Sequence, residues 1–211
     1  GLFLFGEFAS GGRDDFSEDD YRSVMDAYDF TLAATMRQAS GWGGDLRHLI
    51  NPATSRRALS GTAAVTFVKG HDIDQEPKNW TPYVYDNEAD ELLAYAYIFG
   101  RREGTPYVYV DKYDHPAIQA GLVFNNLSLG KTETWLFPWC NQVQLAWRRG
   151  KSMLVALNKS AHDWIPEMIP TGLMPGVFRE LLTGQQYTVS ANGEIQGYRV
   201  RPRQASYLVR E

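Results

Sequence analysis

Ala64-Val65-Thr66-Phe67-Val68-Lys69-Gly70-His71-Asp72 is the stretch whose reading decides the fold class. Its first five residues are apolar or β-branched, and the run then stops at a histidine and a carboxylate. A buried strand that ends on ionisable groups is how parallel α/β proteins bury a sheet and present chemistry at its rim. The same arrangement opens the chain, as Leu2-Phe3-Leu4-Phe5-Gly6-Glu7. Two strand-end carboxylates, Glu7 and Asp72, point to acid–base chemistry on a sugar or an ester.

Working outward, residues 1–126 alternate between strand and helix patterns. Leu2–Phe5 reads as a strand, and the acidic Ser17-Glu18-Asp19-Asp20 suits a helix N-terminus. Ala27–Phe30 reads as the next strand and Thr31–Ala39 as a helix, broken by Gly41–Gly44. Asp45–Ile50 reads as a turn or two of helix before Pro52. Ala64–Val68 is the third strand, followed by a polar loop from His71 to Asp86. Asn87 is placed to cap a long, largely buried helix through Arg102, which Gly104 stops. Tyr107–Val110 then gives a fourth strand ending in Asp111, and His115–Phe124 a last helix. Four strand–helix units in succession predict a parallel sheet with right-handed crossovers.

After Asn126 the pattern changes. Residues 127–142 read as a linker, and 143–211 as strands only: Val143–Arg148, Ser152–Leu157, Val177–Leu182, Tyr187–Ser190, Tyr198–Arg201 and Ser206–Val209. Turn signals such as Arg149-Gly150, Thr183-Gly184 and Asn192-Gly193 separate them. Short strands at this spacing predict an antiparallel β-sandwich with a packing role.

Composition narrows the function. A net charge of -4 gives no basic footprint for nucleic acid, and no apolar run approaches the length that spans a bilayer. Arg56-Arg57 and Arg148-Arg149 are too small for a nucleic-acid surface. Gly11-Gly12 lacks the lysine and serine of a phosphate loop. His48, His115 and His162 have no metal-ligand spacing, and Cys140 has no partner for a disulfide. The aromatic share of 13%, with 6 Trp and 12 Tyr, supplies flat faces and hydroxyls of the kind that line carbohydrate clefts as well as cores. A chain that starts at Gly1, directly on a core-like strand, reads as the later part of a longer protein.

Four segments resemble the α-amylase family of glycoside hydrolases, in the family's order. Phe5-Gly6-Glu7-Phe8 is similar to its strand-five motif, and Tyr28-Asp29-Phe30-Thr31-Leu32 to strand six. Phe67-Val68-Lys69-Gly70-His71-Asp72 resembles strand seven, and Gly104-Thr105-Pro106-Tyr107-Val108-Tyr109 strand eight. The tail, from Ser152–Asn158 through Pro175-Gly176 to Tyr207-Leu208-Val209, is similar to the β-domain that follows the barrel there. One position departs: Gly70 stands where the family usually has Asn before the His-Asp pair. The resemblance implies the second half of a (β/α)8 TIM barrel, strands five to eight, over residues 1–126, followed by an antiparallel β-sandwich domain.

It also implies roles. Glu7 is the general acid/base of a retaining mechanism, and Asp72 the carboxylate that binds sugar hydroxyls and stabilises the oxocarbenium-like transition state. His71 hydrogen-bonds the same ring, and Phe8 offers an aromatic surface to the leaving sugar. Plain alternatives stand beside these: a surface glutamate for Glu7, a helix cap and core-edge histidine for the pair, ordinary packing for Phe8, and a cleft or turn role for Asp111. The family's nucleophile, its companion arginine and most calcium ligands belong to strands one to four, which have no counterpart in residues 1–211. The expected chain is therefore inactive alone, carries no cofactor of its own (calcium belonging to the complete enzyme), and needs the other half of the barrel as partner. The implied substrate is a starch-like α-glucan or oligosaccharide, and the family's habit implies a secreted or periplasmic setting. A transferase or isomerase of the same clan, and a non-catalytic glucan-binding remnant, are the alternatives.

Overall fold

The computed structural model describes residues 3–7 and 18–211, with the first two residues of the second stretch described by backbone only. In chain order its elements are β1 (Phe5–Gly6), α1 (Glu18–Arg22), β2 (Asp26–Tyr28), α2 (Phe30–Ser40), β3 (Ala64–Thr66), α3 (His71–Gln75), α4 (Glu88–Gly100), β4 (Thr105–Pro106) and α5 (Pro116–Ser128). There follow β5 (Glu133–Trp135), β6 (Gln144–Arg149), β7 (Met153–Asn158), β8 (Gly176–Glu180), β9 (Gln186–Val189) and β10 (Gln204–Arg210). None of the described helices is long and apolar enough to cross a membrane.

The first four strands form one parallel sheet in sequence order, β1-β2-β3-β4. Phe5 pairs with Asp26, Ala27 with Ala64 and Val65 with Thr105. All three β3 residues are buried, as expected of a strand covered on both faces. The strands are shorter than their patterns suggest because local capping competes with the ladder. Asp29, fully buried, accepts hydrogen bonds from Leu32 N at 2.8 Å and Leu59 N at 2.9 Å. That cap starts α2 at Phe30, which the sequence pattern had assigned to the strand. Asn87 caps α4 as predicted, its side chain accepting from Asp90 N at 3.0 Å. The loop predicted from His71 to Asp86 instead holds α3 and a 3-10 turn at Pro77–Trp80.

The second sheet is antiparallel, in the order β5-β6-β7-β10-β8-β9. Its alternation is strict: Leu145, Trp147, Val155, Leu157 and Tyr207 join one core with Leu32 and Met36 of α2, Tyr95, Tyr97 and Phe99 of α4, and Phe124 of α5. Ala146, Leu154, Ala156 and Leu208 face the other way and pack with Trp139, Trp164, Leu173 and Tyr198. The expected sandwich is thus corrected to a single six-stranded sheet. The helices already cover one face, and irregular segments cover the other. The strand expected at Tyr198–Arg201 is reduced to one bridge, Trp164 to Val200. The stretch 127–142, read as a linker, contains the end of α5 and all of β5, whose Trp135 pairs with Trp147.

Arg149 ties the two layers together. It is buried, and its guanidinium donates to the carbonyls of Gly100 and Arg101, both at 2.8 Å, and of Ser128 at 3.0 Å. One cation from β6 therefore bonds carbonyls at the C-terminal ends of both α4 and α5, where the helix dipole favours positive charge. Trp147 adds an indole N–H to Gly100 O at 2.9 Å.

Candidate active site

Each parallel strand carries an aromatic residue near its C-terminal end: Phe5, one residue before the end of β1, Tyr28 at the end of β2, and Phe67 and Tyr107 just past β3 and β4. Side chains at this rim meet edge to face around Tyr28. Its ring centroid lies 5.4 Å from that of Phe5, 5.1 Å from Phe67 and 5.8 Å from Tyr107. Perpendicular packing of this kind suits the ring quadrupoles and gives a rigid apolar floor. Phe30 and Trp80 extend it, stacked at 6.2 Å and 18°.

Onto this floor open Glu7, which directly follows β1, and His71 and Asp72, which begin α3. Glu7, Tyr28, Phe67, His71, Asp72 and Tyr107 line one pocket, with Phe30, Gly70, Ile73 and Trp80 completing its wall. His71 Nε2 lies 3.1 Å from Asp72 Oδ1. Gly70 precedes the helix without a side-chain cap, and Asp72 and Asp74 sit in the first turn, where a helix favours acidic groups. Burial, reinforced by Tyr107 and Glu7, pushes the Tyr28 hydroxyl up to about 12, so it stays protonated and able to donate.

Lys69 fixes the rim. Its ammonium pairs with Asp74 at 2.6 Å and Asp111 at 2.7 Å, joining the loops that follow β3 and β4. Burial pulls this lysine's pKa down, but hydrogen bonds and charge from Asp111 and Asp74 outweigh it and raise it. Asp111, left open between cleft and turn, is therefore the partner of Lys69.

The structure brings Glu7, His71 and Asp72 to one pocket; Phe8 lies outside the described residues. The pair does not act as a helix cap with a core-edge histidine: Gly70 holds the cap position without a side-chain bond, and His71 is exposed in the first turn of α3, where the pocket opens. Trp80 was absent from the sequence reading because the loop around it is polar. The signal that could have found the aromatic floor is the repeat of an aromatic residue near the end of every parallel strand. Among the described residues no group of three or more His, Cys, Asp or Glu is disposed to hold a metal ion.

No family model matches the chain. It is 33% identical over 184 residues to an α-amylase of Aeromonas hydrophila, an alignment that takes in 77% of this chain and 39% of that relative. Among solved structures it is similar to wild-type α-amylase I of Eisenia fetida, with a TM-score of 0.77 and 14% identity, over 97% of this chain and 53% of that one. A variant of the same earthworm enzyme in complex with maltohexaose is similar at a TM-score of 0.73 and 13% identity. The γ-cyclodextrin glucanotransferase (γ-CGTase) of alkalophilic Bacillus clarkii is similar at 0.72 and 18%, over 98% of this chain and 36% of that one. The chain thus spans about two fifths of its curated relative and no more than about half of these structures. The identity to the Aeromonas enzyme, the shared fold and the four ordered motifs place the chain in the α-amylase family of glycoside hydrolases.

Proposed function

We propose that this chain is the acid/base-bearing part of a retaining, amylase-type glycoside hydrolase that cleaves α-glucosidic bonds in starch-like glucans. The observation that carries the reading is the convergence of Glu7, His71 and Asp72 on one aromatic-floored pocket from beyond the ends of β1 and β3, the two strands that flank β2 in the parallel sheet. In this account β1 to β4 are the second half of the barrel, and residues 143–211 form the β-domain that follows it.

Glu7 gives its proton to the glycosidic oxygen as the bond breaks, and takes one back from water in the second step. Asp72, beside His71, holds sugar hydroxyls and faces the positive charge that builds on the ring. The protonated Tyr28 hydroxyl supplies a donor at the floor, and Phe67, Tyr107 and Trp80 supply faces for sugar rings. The carboxylate that attacks the anomeric carbon in a retaining scheme stands about 5–5.5 Å from the acid. In this reading it comes from strands outside residues 1–211, so the chain binds glucan without turning it over.

Incubation of the purified chain with soluble starch, followed by a reducing-sugar assay, tests this. No release is expected, together with saturable maltoheptaose binding that Asp72→Asn weakens. Release that disappears in Glu7→Gln contradicts the division of labour, and absence of any maltoheptaose binding contradicts the glucan reading.

A further inference from the structure

Among the described residues Trp42 is the most exposed large hydrophobic side chain, at 94%. Leaving an indole in water forgoes the burial that usually stabilises such a residue, yet the turn beneath it is built with care. Gly41 N donates to Arg37 O and Gly44 N to Gly41 O, both at 3.1 Å, which closes a tight turn with Trp42 at its apex. Gly43 has φ +71, the left-handed region that glycine adopts freely. A Cβ on Gly44 would lie 2.0 Å from Gln38 O, so only glycine fits. Lys159, a buried lysine just after β7, reaches across and donates to Ala39 O at 2.9 Å and Gly44 O at 2.6 Å. A rigid mount holding a bare indole is what a stacking platform requires.

The groove beside it is lined by Ala34, Arg37, Gln38, Trp42, Thr81 and Pro82. Arg37 fixes its far wall, with Nε on Val84 O at 2.7 Å and Nη2 on Asp86 at 3.0 Å. Its charge is therefore already matched. What remains for a ligand is one aromatic face and the neutral polar groups of exposed Gln38 and Thr81. That chemistry fits an uncharged, hydroxylated ring. The groove also adjoins the candidate active site: Trp80, in the pocket wall, is followed directly by Thr81 and Pro82 in the groove wall.

We infer that Trp42 is a second glucan-stacking site, which takes an α-linked oligosaccharide on the outer side of the Trp80–Pro82 segment. The inference rests on the glucan reading above and extends it beyond the pocket.

The test is 19F NMR of the chain labelled with 5-fluorotryptophan, with the Trp42 and Trp80 signals assigned by Trp42→Phe and Trp80→Phe, during titration with maltoheptaose. The Trp42 signal is expected to move saturably, and to do so equally in Asp72→Asn. Retardation of the chain in gels containing soluble starch is expected to weaken roughly tenfold in Trp42→Ala, the scale of one lost stacking contact. If the Trp80 signal moves and the Trp42 signal does not, the inference fails while the glucan reading stands. If neither moves, both fail. An equal Trp42 shift with cellohexaose overturns the assignment to α-linked glucan.

Discussion

Glu91 illustrates how much a single half-buried carboxylate can set. It lies in the first turn of α4, its Oε1 is buried without a hydrogen-bond partner, and burial raises its pKa. Lys112 and Lys69 pull the other way, while Asp111 and Glu88 add to the rise. A carboxyl whose folded pKa lies above its unfolded value binds protons more tightly in the native state. Its contribution is therefore fully present below the unfolded pKa and is lost as pH rises through the folded one. Glu91→Gln is expected to unfold at a higher urea concentration than the parent at neutral pH, with the gap closing on acidification. Urea midpoints measured across the acid range check this, and a gap that widens at low pH contradicts it.

At the scale of elements, close approach decides more than propensity does. Gly121 lies inside α5, where a Cβ would sit 2.2 Å from the Phe99 ring and 2.8 Å from the Tyr207 hydroxyl. Helix propensity alone favours Ala over Gly by about 1 kcal/mol. Overpacking a filled core costs about 1–3 kcal/mol, and here the neighbours belong to α4 and β10, both held by the shared core. Gly121→Ala is therefore expected to destabilise the chain by up to about 2 kcal/mol in denaturant unfolding, where an isolated helix would be stabilised.

Much at this scale was legible in the sequence. The succession of parallel strands and the Asn87 cap follow from local patterns of apolar runs and capping residues, but the fourth strand, read at Tyr107–Val110, lies at Thr105–Pro106, and Asp72, read at a strand end, sits in the first turn of α3. What was not legible depends on distant partners. The Arg149 guanidinium finds its acceptors on backbone up to 49 residues away, and no spacing rule marks a carbonyl as unpaired. The second sheet was read as a sandwich because alternation reports that both faces are covered, not by what. The role of Lys159 beneath the Trp42 turn, 115 residues from Gly44, was hidden for the same reason.

For the whole molecule, the helices of the parallel layer and the second sheet share one core: α2, α4 and α5 give their apolar faces to β6, β7 and β10. A single cooperative unfolding transition follows, since neither layer buries its own surface alone. The parallel sheet is less complete. Among the described residues β1 and β4 are each paired on one side only, and Phe3, Leu4 and Phe5 are exposed at 54%, 54% and 43% beside β1. An exposed apolar strand edge is a template for pairing with another chain. In the half-barrel reading that edge belongs against further strands. The purified chain is expected to self-associate with rising concentration in sedimentation velocity, and Leu4→Lys to reduce the association. A monomer at every concentration contradicts the half-barrel.

The central claim is that Glu7 and Asp72 face one sugar across the aromatic floor. A crystal structure of the chain soaked with maltoheptaose tests it most directly. The account predicts a glucose ring stacked within the Tyr28–Phe67–Tyr107 pocket, with the Glu7 and Asp72 carboxylates both within hydrogen-bonding reach of it. A sugar bound elsewhere while this pocket stays empty, or the two carboxylates turned to opposite faces of the sheet, would contradict it.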